Sequence, residues 1–108
     1  MTKHKVSELE GALLDVAVAK AEGRLEAWWN TNEAYSVEWS DGGPIIERES
    51  ISVERVAYSD GSLREWSAAV AVGSQYPEEW KRWSGPTPLI AAMRAYVASK
   101  LGYVVELP

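Results

Sequence analysis

Cysteine is missing from all 108 residues, which excludes a disulfide framework, thiol catalysis and any thiolate-bound metal. Histidine occurs once, at position 4, beside a chain end expected to fray, so neither a histidine base nor a histidine metal ligand is expected. Phenylalanine is absent too. The large aromatics are therefore six Trp and five Tyr, each carrying an N–H or O–H that needs a partner when buried. There is no long apolar run: the basic start Met1-Thr2-Lys3-His4-Lys5 leads into mixed charged and apolar residues, not into a signal peptide or a membrane span. No membrane association is expected, and the cytosol is the expected compartment. Positive charge is scarce, with 11 Lys and Arg against 16 Asp and Glu, net −5. That balance argues against a nucleic-acid polymer as partner, because such binding draws on Lys and Arg replacing counterions. A small phosphorylated ligand needs only one local anion site and stays open.

What is present reads as one domain spanning residues 1–108, with 46% hydrophobic and 25% charged residues. The predicted class is α+β: two main helices packed on a small, mostly antiparallel sheet with one β-hairpin. Ser7 and Glu10 have capping-box spacing and predict a helix over Glu8 to Glu22, closed by Gly23. Its apolar positions Leu9, Leu13, Val16 and Ala17 oppose Leu14 and Val18, which predicts two covered faces. Alternation over Arg24 to Trp39, broken at Asn30-Thr31-Asn32, reads as two short strands. Asp41-Gly42-Gly43-Pro44 reads as a tight loop, with Pro44 opening a short helical turn to Glu49. Ile51 to Val56 and Leu63 to Val72, separated by Tyr58-Ser59-Asp60-Gly61, form the hairpin. Gly73 to Gly85 reads as a long loop. Thr87 as N-cap and Pro88 at the first position open a second helix that stops at Gly102, followed by a strand over Tyr103 to Leu107. That helix carries only Arg94 and Lys100 as charges, so it needs cover on most sides. In so small a chain, this points to a homodimer or higher oligomer, or else to mutual cover of helices and sheet within one copy.

Gly42-Gly43-Pro44-Ile45-Ile46-Glu47-Arg48-Glu49 and Gly85-Pro86-Thr87-Pro88-Leu89-Ile90-Ala91-Ala92-Met93-Arg94 resemble the NinX-like family of phage proteins. The segment Ala17 to Gly23, Trp39, Trp66 and the tail Tyr96 to Gly102 agree with it, while Arg24 to Glu33 and Gly73 to Arg82 do not carry the likeness. The resemblance implies a phage accessory protein acting in the host cytoplasm. It brings no activity and no catalytic residue.

The candidate site is a ligand site, with no catalytic residue, metal or cofactor assigned. Ser84-Gly85-Pro86-Thr87 leads into a helix start, where free N–H groups and the helix dipole attract anions. Gly42-Gly43-Pro44 repeats the device, with Arg48 as a nearby charge, and Arg94 stands at the margin of its helix's apolar stripe or in an ion pair. Trp39, Trp66 and Trp83, with Trp80, are candidate stacking faces. The ligand-site set is thus Trp39, Gly42, Gly43, Arg48, Trp66, Trp83, Ser84, Gly85, Thr87 and Arg94. Plainer roles stand beside each: Thr87 as a cap, the glycines as turn residues, the Trp rings as core. The leading expectation is a non-enzymatic protein that binds, and sequesters, a small nucleotide-derived host signal to counter defence. The rivals are a protein-interaction module that inhibits a host factor through an acidic, Trp-bearing surface, and a small cyclic-nucleotide hydrolase using a carboxylate.

Overall fold

A computed structural model describes residues 1–23, 29, 31–70 and 81–108. Among these, three α-helices and five strands form an α+β arrangement with two antiparallel sheets. The chain ends close the first sheet: β1 (Thr2–Lys5) pairs with β5 (Val104–Leu107), Thr2 opposite Leu107 and His4 opposite Val105. Val105 and Leu107 are buried, and the Val6 N–H donates to the Tyr103 carbonyl at 2.9 Å. The start of the chain is therefore held in a ladder where fraying was expected.

After β1 a 3-10 turn, Val6–Glu8, sinks Val6 and Leu9 into the core, and α1 (Gly11–Ala21) begins three residues later than predicted. Ser7 and Glu10 form no capping box; Glu10 is the N-cap and makes no side-chain cap bond. The chain is turned at Gly11, whose φ of +59° suits glycine, and the tight turn that buries Leu9 wins over a longer helix. Leu14, Ala17, Val18 and Ala19 of α1 are buried and Val16 packs against the core, so both predicted stripes are covered in part, whereas Leu13 is 41% exposed. The helix lies against α3 and β5. Gly23, at φ +76°, ends it as expected.

The predicted tight loop at Asp41-Gly42-Gly43-Pro44 is instead the interior of α2 (Trp39–Arg48). The strand pair expected over Arg24 to Trp39 is likewise replaced, from residue 31 onward, by a turn at residues 35–37 and the start of α2; residues 24–28 and 30 lie outside the described residues. Intrinsic propensity is overridden here by tertiary contacts. Asp41 Oδ2 accepts the Ala34 N–H at 2.9 Å, and Glu38 and Val37 N–H groups donate back to the Ala34 carbonyl at 2.8 and 3.1 Å, winding the chain into the helix. Pro44 forgoes one helical bond at an exposed position.

The hairpin forms as predicted from β2 (Ser52–Ala57) and β3 (Leu63–Val70). Gly61 at φ +86° turns it, and Asp60 Oδ1 accepts from the Ser62 N–H at 2.8 Å and its hydroxyl at 2.6 Å. β4 (Lys81–Gly85) adds a third strand beside β3, Trp83 opposite Ala68 and Gly85 opposite Trp66. The end of the predicted loop Gly73 to Gly85 is thus a strand; residues 71–80, Trp80 among them, lie outside the described residues.

α3 (Pro88–Leu101) matches its prediction, capped by Thr87 and ended at Gly102, φ +91°. Every residue from Leu89 to Ala98 is buried within the single chain, between the three-stranded sheet, α1 and α2. Ala91, Ala92, Ala95 and Ala98 allow that close approach. α3 therefore finds its cover within one copy of the chain. Among the described residues no helix is long and apolar enough to cross a membrane.

Candidate functional site

The N-terminal ends of α2 and α3 meet. Between them lies a surface hollow of about 230 Å³, walled by Ser36, Val37 and Trp39 on one side and Thr87, Pro88 and Leu89 on the other. Gly42 sets the closeness of the two helices: a Cβ there would stand 2.5 Å from the Tyr35 carbonyl oxygen and 2.7 Å from Leu89 Cδ2. The glycine serves this approach rather than a positive φ. Ser36 is fixed from behind, its N–H donating to Asp15 Oδ1 at 2.8 Å and its hydroxyl to the Gly11 carbonyl at 3.5 Å. Trp39 lies back over Gly43, with Cε3 3.8 Å from the position of a Cβ there, and remains 55% exposed; Val37 is 62% exposed. Two apolar side chains thus stand in water on a rigid frame.

The hollow offers little to an anion. Pro88 has no N–H, the Ile90 N–H donates to Thr87 Oγ1 at 3.1 Å, and the Ala91 N–H donates to the Thr87 carbonyl at 3.0 Å. Of the first turn of α3, the Leu89 N–H alone is left over. Gly85 does not open the helix end to a phosphate but packs on it, since its Cβ would fall 2.7 Å from the Ala91 nitrogen. Among the described residues no lysine or arginine walls the hollow, and Glu38 and Asp41 lie close to Trp39 in the chain. Its volume is below the roughly 300–1,000 Å³ of sites that enclose a whole small ligand, and suits one apolar side chain or ring.

Of the sequence-predicted residues, Trp39, Gly42, Gly43 and Thr87 gather here, with Gly85 packed behind. The others lie elsewhere. Trp66 is half-buried with the Arg55 guanidinium 5.2 Å from its ring, and Trp83 packs on Tyr103 with ring centres 5.3 Å apart. Ser84 is exposed, but its carbonyl accepts from Arg94 Nη1 at 2.9 Å. Arg94 is 8% exposed, and its Nε donates to the Leu9 carbonyl at 2.7 Å. Burial lowers its pKa against the opposing pull of Glu10, whose carboxylate is 4.0 Å away. Arg94 is thus a clamp between the N-terminal turn and β4.

Arg48 lies nine residues along α2 from Trp39, about 13.5 Å down the axis. There it donates to both Glu22 oxygens at 3.2 and 2.6 Å, to the Tyr96 hydroxyl at 3.2 Å and to Glu49 at 2.9 Å. Tyr96 in turn donates to Glu22, and Lys100 stands 3.6 Å from Glu49. Burial raises the Glu22 pKa, but the bonds from Arg48 and Tyr96 together hold it below the ordinary value. The Tyr96 phenol is pushed up, first by burial and then by its bond to the Glu22 carboxylate. The Arg48 bond pulls Glu49 down. The network is a satisfied latch joining α1, α2 and α3. Among the described residues no group of three or more His, Asp or Glu could hold a metal ion.

Sequence reasoning missed Ser36, Val37, Pro88 and Leu89 as site residues. Val37 was hidden by alternation that read as a strand, and Pro88 and Leu89 by their evident duties within α3. Comparison with known proteins gives one family whose model matches residues 5–100, described as Bacteriophage P22, NinX. No curated protein matches the chain.

Proposed function

The chain belongs to the bacteriophage P22 NinX family, and from that membership we propose a non-enzymatic phage accessory protein that docks on another protein through the hollow at Trp39. The observation that carries this reading is the pair Val37 and Trp39, held largely in water at a shallow apolar hollow. Exposed aromatic anchors on rigid supports are what protein interfaces draw on.

Recovery of the tagged protein from infected host cells tests this. The expected result is one protein recovered with the wild type and lost with Trp39→Ala, a variant that should melt like the wild type.

A second reading, capture of a small nucleotide-derived host signal to counter defence, is supported by the Trp39 ring standing beside the Thr87 hydroxyl and the Leu89 N–H at a helix start. A thermal-shift panel of cyclic dinucleotides, cyclic ADP-ribose isomers and plain nucleotides separates the two. Binding to the folded state alone adds about 2.7 kcal/mol at a hundredfold excess over Kd. Stabilisation by a nucleotide would put this second reading first, and conversion of that nucleotide would favour the hydrolase. The host cytoplasm is the compartment in which either act would take place.

A further inference from the structure

We propose that the partner of the Trp39 hollow is a basic protein segment: one apolar side chain that enters the hollow, flanked by lysine or arginine. The inference rests on the docking reading above and adds the chemistry of the occupant.

Charge is unevenly spread along this chain. Ser36, Val37 and Trp39 on one side of the hollow lie in the segment 31–47, which carries Glu33, Glu38, Asp41 and Glu47, and Asp15 and Gly11 behind Ser36 lie in the segment 6–19, which carries Glu8, Glu10 and Asp15. Neither segment contains a lysine, arginine or histidine. The opposite wall, Ser84 to Met93, carries no charge, and the arginine that follows is turned inward to the Leu9 and Ser84 carbonyls. Seven of the 16 carboxylates thus lie in segments without a basic residue, and the remaining 9 are outnumbered by the 11 Lys and Arg.

Two acidic residues lie close to the hollow's lining residues in the chain, neither of them lining it. Glu38 is the residue between Val37 and Trp39 and is exposed; Asp41 is within the same turn of α2 as Trp39. Among the described residues neither pairs with a cation. Two negative charges beside exposed apolar groups repel an anionic partner and draw in a cationic one, and the effect acts on association rate and specificity as well as on affinity. The volume, about 230 Å³, takes one large apolar side chain, and basic residues on either side of that anchor would come near the exposed Glu38, which lies between Val37 and Trp39 in the chain.

The test uses the full chain, isotope-labelled and followed by NMR while short synthetic peptides are added: a leucine between lysines, the same leucine between glutamates, and a glycine between lysines. The expected result is that the lysine–leucine peptide shifts the amides of Ser36 to Trp39, Thr87 and Leu89. It should bind at least about tenfold more tightly than the glutamate–leucine peptide and weaken as salt rises. Glu38→Gln should weaken it about two- to threefold, whereas Glu65→Gln on β3 should leave it unchanged; Trp39→Ala should weaken it about tenfold. Equal binding of the lysine and glutamate peptides at the hollow overturns the basic partner and leaves the docking surface standing. Equal binding of the leucine and glycine peptides overturns the anchor. If no peptide moves the amides of Ser36 to Trp39, both the partner's chemistry and the docking reading fall.

Discussion

Leu89 occupies the space that any side chain at position 42 would need, its Cδ2 only 2.7 Å from where a Cβ on Gly42 would stand. The crossing of α2 and α3, and with it the mouth of the hollow, depends on that one missing methyl. The Tyr35 carbonyl closes the other side at 2.5 Å and belongs to backbone, so it cannot swing away.

Gly42→Ala should therefore cost about 1–3 kcal/mol, although alanine is the better helix former. Denaturant unfolding measures this. A stabilised variant would show that helix propensity and not contact governs the site.

Trp39 and Trp83 should separate in their effects on stability. Trp39→Ala should lie within about 0.5 kcal/mol of the wild type, as an exposed residue, while Trp83→Ala loses its burial and its packing on Tyr103 and should cost about 2 kcal/mol or more. Thermal melts of the two variants side by side give the comparison.

Arg94→Met should cost about 2–4 kcal/mol, since it leaves the buried Leu9 carbonyl without its donor and loses the bond to the Ser84 carbonyl. Arg94→Lys should recover only part of the loss, because an ammonium cannot span both carbonyls in the guanidinium's fork. Equal stability of all three proteins would contradict the clamp.

The latch of Glu22, Arg48 and Tyr96 gives stability a pH dependence at both ends. Glu22 titrates below its ordinary value of 4.5 in the folded chain, so its contribution is complete above that value and is lost as pH falls through the lowered one. Tyr96 is shifted the other way: its contribution is complete below pH 10.0 and is lost as the pH rises beyond it. Glu22→Gln should flatten the acid limb of a melting-temperature profile, and Tyr96→Phe the alkaline limb.

The parts of this fold that were legible in the sequence are those in which local chemistry and tertiary packing agree. Thr87, Pro88 and Gly102 write both ends of α3, and Asp60-Gly61 writes the hairpin, because each of those residues acts on its own neighbours. α2 was illegible for the opposite reason. Asp41-Gly42-Gly43-Pro44 is loop chemistry locally, and the bond from Ala34 to Asp41, the close approach to Leu89 and the burial of Ile45 favour the helix instead. The pairing of β1 with β5 joins residues at opposite ends of the chain and leaves no local mark. The candidate site was half legible. Trp39, Gly42 and Thr87 stood out by type, but Arg48 and Arg94 looked like anion ligands when their partners, a carboxylate network and two carbonyls, were distant in sequence.

The central claim is that the surface at Val37 and Trp39 meets another protein, and a photo-crosslinking residue at Val37 tests it most directly in infected cells. The account predicts a single crosslinked protein at position 37, lost when Trp39→Ala is added, with no such product from the same residue at Leu63, an equally exposed position on the hairpin. The same product from both positions, or one that persists without Trp39, would contradict it.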